Sequence, residues 1–64
     1  MPSSVIRDWS YDESQRALDI RFVSGRRYRY HDVPQRLAMG MREARSKGIY
    51  FNEHIRDRFA FTRL

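Results

Sequence analysis

The sequence predicts an α+β fold, in which a three-stranded antiparallel β-meander is followed by two short α-helices packed on one face of the sheet. Three observations predict this class. Apolar and polar residues alternate in the first half of the chain, as they do in strands with one buried face. Turn-forming residues separate the alternating stretches, and after Pro34 the apolar spacing changes to that of a helix.

The first strand is predicted over Ser4–Tyr11, in the stretch SVIRDWSY. Its β-forming residues alternate imperfectly, which indicates a bulge or a twist. The polar residues 12–16 form a turn, and the second strand follows in ALDIRFVSG. That strand alternates cleanly, and Gly25 supplies the positive φ that a tight hairpin requires. The apolar face of the second strand is formed by Leu18, Ile20 and Phe22.

The third strand is predicted over Arg26–Val33. Tyr28 and Tyr30 share one face of it, while the opposite face carries Arg27, Arg29 and His31. Tyrosines open to water would form a platform on which nucleic-acid bases stack. We favour the alternative, in which both rings pack inward, because a 64-residue chain without cysteine needs its bulky side chains for a core.

Two helices are predicted, over residues 34–48 and 49–59. Pro34 suits a first helical turn, Asp32 lies near that start, and Gly48 is a candidate for the C-cap of the first helix. Gly40 weakens that helix by about 1 kcal/mol relative to alanine unless close packing requires a bare backbone. Residues 60–64 receive no element, although Phe61 and Leu64 can pack against the core. The apolar stripe of the first helix is Leu37, Ala38, Met41 and Ala44.

Length and composition exclude several classes of protein. The chain is expected to form one domain over residues 1–64, and the lack of cysteine excludes disulfides and cysteine-based zinc sites. Two separate histidines do not make a metal site, so neither a metal nor a cofactor is expected. No signal peptide and no apolar stretch of about 20 residues is visible. We therefore expect a cytoplasmic protein without a membrane span.

The charge is strongly basic, with 13 Lys and Arg against 8 Asp and Glu, and a single lysine among the 13. The guanidinium group of arginine can donate two parallel hydrogen bonds to a phosphate, so this charge favours a polyanion as partner. The alternative is that the charge only forms a solvated basic surface. If the tyrosines face inward, Arg21, Arg27 and Arg29 form a cationic outer sheet face with His31 at its rim. This face suits phosphate contacts with little sequence preference, or pairing with Asp19.

A second basic region is predicted near the end of the second helix. Asn52 and Arg56 are an i, i+4 pair that can bind a phosphate or a partner carboxylate. We favour a structural role, in which Asn52 ties down the chain near Ser4 and Arg56 pairs with a carboxylate such as Asp12. Arg58 and Arg63 extend this basic region.

The sequence gives no support for an enzyme. No spacing brings together a nucleophile, a base and an orienting group, and no Gly-rich phosphate loop is present. The chain is also short for enclosing a pocket of several hundred cubic ångströms.

The order of motifs resembles the KTSC domain family, which is named after a C-terminal extension of some lysyl-tRNA synthetases and includes small free-standing bacterial proteins. The resemblance covers residues 3–64. Two departures are Ser10, where the family often has glycine, and residues 59–61, which replace a Tyr-Pro-Tyr-like ending. The matching residues are Ser4, Ile6, Tyr11-Asp12, Leu18, Phe22, Ser24-Gly25, Tyr28-x-Tyr30, Val33-Pro34, Gly48, Tyr50-Phe51-Asn52 and Ile55-Arg56.

The resemblance to a synthetase extension implies an RNA-binding role. Together with the basic face, it leads us to expect a small non-catalytic module that contacts RNA phosphates through arginine. The alternative is a protein-interaction module that regulates or inhibits a larger enzyme, using the same arginines against an acidic surface or using an open strand edge. The nucleic-acid contacts would come from Arg21, Arg27, Arg29, His31, Arg56 and Arg58, while Ser4, Tyr28, Tyr30 and Asn52 would be motif residues with structural roles.

Overall fold

The computed structural model describes residues 6–64, which form one antiparallel sheet and two helices. The strands lie in the order β1-β2-β3-β4, and both helices are inserted between β3 and β4. The predicted α+β class is confirmed, but the predicted number of strands is wrong, since the sheet has four strands rather than three. The elements are β1 Ile6–Asp12, β2 Ala17–Phe22, β3 Arg27–Tyr30, α1 Gln35–Glu43, α2 Lys47–His54 and β4 Phe61–Arg63.

The additional strand is β4, in the tail to which the sequence assigned no element. It pairs antiparallel with β3, with Tyr30 opposite Phe61 and Tyr28 opposite Arg63. Leu64 N continues the ladder by donating to the Arg27 carbonyl at 2.9 Å. The strand has three residues and all are exposed, so it carries no alternation of buried and exposed positions that a sequence pattern can reveal.

The irregularity predicted in the first strand is confirmed as a register shift between Ile6 and Asp8. The extra residue at this bulge is Arg7. Because side chains alternate between faces, an inserted residue changes the face on which the following positions lie. Ile6 therefore packs in the core together with Trp9 and Tyr11, although the spacing between them is uneven.

The core lies between one face of the sheet and the two helices. The prediction that the β3 tyrosines face the helices is confirmed, since Tyr30 is 6% exposed and Tyr28 is half-buried against the same cluster. Tyr11 Oη donates to the Val33 carbonyl at 2.6 Å and so ties β1 to the segment before α1. The buried cluster comprises Ile6, Leu18, Ile20, Tyr30, Val33, Met41, Phe51 and Ile55.

The helix boundaries differ from the predicted ones because a second N-cap lies within the first predicted helix. Ser46 Oγ accepts from Ile49 N at 3.2 Å and starts α2, so Gly48 is a buried residue inside α2 rather than a C-cap. Lys47 Nζ donates to the Ala44 carbonyl at 2.6 Å and to the Arg42 carbonyl at 3.0 Å. These hydrogen bonds supply donors for carbonyl groups at the C-terminal end of α1.

The start of α1 also differs from the expectation. Pro34 is the N-cap residue rather than the first helical residue, and no side chain hydrogen-bonds there. Asp32, expected to support this start, instead takes a left-handed backbone conformation with φ of 59°. Neither helix within residues 6–64 is long and apolar enough to cross a membrane.

Candidate functional site

The outer face of the sheet brings the predicted arginines together. Arg21 lies directly opposite Arg27 across β2 and β3, and Arg29 lies opposite Asp19 in the next outward-facing row. Thr62 of β4 continues that second row beyond Arg29. Asp8 of β1 lies opposite Arg21, so all four strands contribute to this face, on the side opposite the helices.

Two of these arginines form ion pairs. Arg21 Nη2 lies 2.6 Å from Asp8 Oδ2, and its Nε donates to the same carboxylate. Arg29 Nε and Nη2 donate to the two carboxylate oxygens of Asp19 at 2.9 and 3.2 Å. The Arg29–Asp19 pair is the one that the sequence suggested, and the Asp8 pair was not expected.

The bulge in β1 explains the unexpected pair. In a regular ladder continuing from Ile6 opposite Phe22, Asp8 would lie opposite Ile20 and would share the apolar face. The extra residue moves Asp8 opposite Arg21 instead. Its hydrogen bonds with Arg21, and the nearby guanidinium charge, lower the pKa of the Asp8 carboxyl. Hydrogen bonds to the carboxylates likewise raise the pKa of Arg21 and of Arg29.

Arg27 is different from its two neighbours. It is exposed, and no carboxylate of residues 6–64 lies within ion-pair distance of its guanidinium group. The side chain directly opposite it, Arg21, has the same charge. With three arginines and two aspartates, this outer face keeps a net positive charge that is concentrated around Arg27.

His31 lies just after β3, at the rim of this face, as predicted. Its Nε2 and Thr62 Oγ1 are 2.7 Å apart, a hydrogen bond in which the donor depends on the tautomer of the ring. The contact joins the ends of β3 and β4. His31 is half-buried, so its first role is to hold the rim in place.

The second predicted basic region does not join the outer face. Arg56 Nη1 donates to Asn52 Oδ1 at 3.3 Å, which is the predicted i, i+4 contact, and Asp12 is not its partner. Arg58 Nε donates to the Glu53 carbonyl at 3.1 Å near the end of α2. Ser4, the proposed neighbour of Asn52, lies outside the described residues.

Arg56 instead borders a groove on the helix side of the sheet. This groove lies between the β2–β3 hairpin, the end of α2 and the start of β4, and its volume is about 540 Å³. Arg26 and Asp57 are its other charged residues. Sequence reasoning missed the groove, and with it Arg26 and Phe61, because its wall on the β4 side forms only when the tail pairs with β3. The aromatic lining is Phe22, Tyr28, Tyr30, Phe51 and Phe61.

Residues 6–64 contain no cluster of three or more side chains suited to holding a metal ion. The chemistry available in these two regions is ion pairing and hydrogen bonding by guanidinium groups and contact with aromatic rings.

A family model and a solved structure that match this chain both belong to the same family. The model of the KTSC domain matches residues 2–59. The chain is similar to the crystal structure of a KTSC domain protein from Yersinia pestis, with a TM-score of 0.93 and 33% identity, covering 100% of this chain and 90% of that one.

Two curated relatives differ in length. A lysine–tRNA ligase of Nostoc punctiforme is 39% identical over 61 residues, which are 95% of this chain but only 11% of the ligase. An uncharacterized protein of Stutzerimonas stutzeri is 40% identical over 53 residues, covering 83% of this chain and 75% of that protein. The chain thus corresponds to a small part of the ligase and to most of the second relative.

Proposed function

We propose that this chain, which belongs to the KTSC domain family, is a non-catalytic module that binds RNA phosphates through the outer face of its sheet. The observation that carries the proposal is the position of Arg27, an exposed arginine directly opposite Arg21 across the ladder. Like charges directly opposite each other on a sheet are unfavourable. A phosphate between the two guanidinium groups would relieve that repulsion.

The two ion pairs are compatible with such binding. Asp8 and Arg21 are about half exposed, at 51% and 45%, so water already competes for their contact. Exposed pairs of this kind contribute little to stability. A guanidinium group has five N–H donors, so Arg21 can keep its carboxylate and still donate to a phosphate oxygen.

The choice of RNA rests on the relatives and on the net charge of +5. A lysine–tRNA ligase carries a segment that is 39% identical to this chain, and its name states that it acts on tRNA. The ligase activity does not extend to this chain, which spans 11% of that protein. A positively charged domain in such an enzyme is suited to contacts with the substrate backbone.

A titration of fluorescently labelled single-stranded RNA, at about 50 and about 200 mM salt, tests the proposal. Each phosphate contact contributes about 0.7 to the slope of log K against log salt concentration for single strands. The double variant Arg21→Gln/Arg27→Gln is expected to bind more weakly and to reduce the slope by about 0.7, because the two arginines share one phosphate. Circular dichroism checks that the variant is folded.

The matched control is Arg36→Gln/Arg42→Gln, which removes the same charge from exposed positions of α1. It should keep the slope of the unmutated protein, because these residues lie on a different element from the proposed face. Equal losses in both double variants would show that net charge alone matters and would contradict the assignment of the face. No detectable RNA binding by the unmutated protein would contradict the function itself.

The second candidate function is protein interaction through a sheet edge. In the sheet of residues 6–64, β1 and β4 are the edge strands, and every residue of β4 is exposed. An exposed edge can pair with a strand of another protein. Recovery of one defined protein after nuclease treatment, with no RNA bound by the pure chain, would favour this candidate.

A further inference from the structure

We propose that the aromatic groove between the β2–β3 hairpin, the end of α2 and β4 holds an unstacked base of single-stranded RNA. This inference rests on the proposed function and adds to it a second site on the opposite side of the sheet. The outer face would contact phosphates without regard to the bases, whereas the groove would require a base.

The rings of the groove form a connected set with one exposed member, Phe61. Phe61 is 57% exposed even though its ring centroid lies 5.4 Å from the rings of both Tyr28 and Tyr30. The Tyr28 and Phe61 rings are perpendicular, at 90°. Two perpendicular rings form a corner in which a flat ligand can lie against the face of one ring and the edge of the other.

The inner end of the groove is fixed in position. The Phe51 ring lies 5.6 Å from the Phe22 ring and 5.4 Å from the Tyr30 ring, both in edge-to-face geometry. Phe51 is 4% exposed and belongs to the core. The exposed Phe61 is therefore supported by rings that are held in place before any ligand arrives, which limits the entropy lost on binding.

The charge of the groove favours an anionic ligand. Arg26 and Arg56 line it, against the single carboxylate of Asp57. Arg56 lies near enough to the Tyr30 phenol to oppose the effect of burial, which raises the pKa of that phenol. A base attached to a sugar and a phosphate matches this combination of aromatic rings and guanidinium groups.

Size is also consistent with one nucleotide. The groove has a volume of about 540 Å³, inside the range of about 300–1,000 Å³ that ligand sites occupy. The second concavity, of about 280 Å³, lies on the outer face and is lined by the ion-paired residues. The groove is thus the larger of these two concavities and the one with an exposed aromatic ring, that of Phe61.

The test compares two RNA probes of about eight nucleotides, within the usual size of a single-stranded site. One is oligouridylate, and the other is an abasic ribose-phosphate oligomer of the same length and charge. The unmutated protein should bind the base-bearing probe at least about fivefold more tightly, because stacking adds to the phosphate contacts. Phe61→Leu should lower affinity for oligouridylate while leaving affinity for the abasic probe unchanged. Arg56→Gln should lower affinity for oligouridylate more than affinity for the abasic probe, because only a base held in the groove keeps its phosphate beside Arg56.

Leucine keeps the apolar character of position 61 and removes the π-face, so loss of the preference would identify stacking. The matched controls are Ile49→Ala, an exposed apolar residue at 45%, and Arg45→Gln, an exposed arginine outside both concavities. Both controls should keep the preference. Shifts of the Arg26 and Phe61 amide signals of the unmutated protein upon addition of oligouridylate provide a readout that does not depend on any variant folding.

The failures of the two proposals are distinguishable. Equal affinity for both probes, with binding that still weakens in Arg21→Gln/Arg27→Gln, would overturn the groove and leave the outer face intact. A base preference that persists in Phe61→Leu, or amide shifts confined to β1–β3 residues of the outer face, would also overturn the groove. Binding of neither probe would overturn both proposals.

Discussion

At the scale of single residues, the packing of the two helices depends on the absence of a side chain at Gly40. A Cβ atom at this position would overlap the Tyr50 hydroxyl and the ring carbon that bears it. Tyr50 Oη donates to the Leu37 carbonyl at 2.9 Å, and its ring lies 4.4 Å from the His54 ring. Glycine is thus used in α1 because a tyrosine from α2 occupies the space beside it, as the sequence allowed but did not require.

The first prediction concerns this contact. Gly40→Ala should destabilise the domain, because overpacking costs about 1–3 kcal/mol and offsets the gain in helix propensity of about 1 kcal/mol. Urea unfolding of the variant measures the change. In a Tyr50→Leu background, where the overlapping atoms are absent, the same alanine should be neutral or stabilising. Destabilisation of equal size in both backgrounds would contradict the packing explanation.

A residue-scale feature of the outer face also has a functional consequence. Asp8 reaches Arg21 only because of the preceding bulge, and its carboxylate partly neutralises the charge proposed to bind phosphate. The lowered pKa of Asp8 means that this neutralisation persists when the pH falls into the ordinary range of carboxyl groups. The aspartate therefore limits the strength of phosphate binding at every pH at which RNA titrations are practical.

At the scale of elements, the sheet face can be treated as a set of strands that contribute charges of opposite sign. β1 supplies Asp8, β2 supplies both Asp19 and Arg21, and β3 supplies Arg27 and Arg29. The acidic residues lie on β1 and β2 and the unneutralised arginine on β3. Approach of a polyanion is therefore favoured from the β3 side of the face.

This arrangement predicts that Asp8→Asn strengthens RNA binding. The substitution removes a negative charge beside Arg21 and leaves that guanidinium available to a second phosphate, so the salt slope should rise by about 0.7. The matched control is Glu43→Gln, which makes the same change in net charge at the exposed end of α1. An equal gain of affinity in both variants would attribute the effect to net charge rather than to the outer face.

The elements differed in how well the sequence predicted them. β2 and β3 followed from regular alternation and the glycine turn, and the bulge in β1 followed from its broken alternation. The helix boundary did not follow, because the apolar stripe reached Ala44, beyond the end of α1 at Glu43, and Ser46 begins a new helix as its N-cap. Local hydrogen bonding by one serine outweighed the periodicity there.

At the scale of the whole molecule, β4 is what the sequence could not reveal. Three exposed residues carry no pattern, and the strand exists because the chain after α2 returns to the open edge of β3. The outer face was therefore predicted from its arginines, whereas the groove was not, since it requires the tail to meet the hairpin. Residues distant in sequence, such as Arg26 and Phe61, line the same groove only through that pairing.

The topology predicts that β4 protects the molecule from association as well as completing the groove. Deletion of residues 60–64 would leave β3 as an edge and would remove the Phe61 ring from Tyr28 and Tyr30. Exposed edges with apolar neighbours pair with other chains. The shortened protein should therefore melt at a lower temperature and form dimers or larger species in light scattering.

Phe61→Ala is the control, because it removes the same ring but keeps the strand backbone, so it should lose groove contacts and remain monodisperse. Association of both variants to the same degree would mean that the ring, and not the strand, covers the sheet.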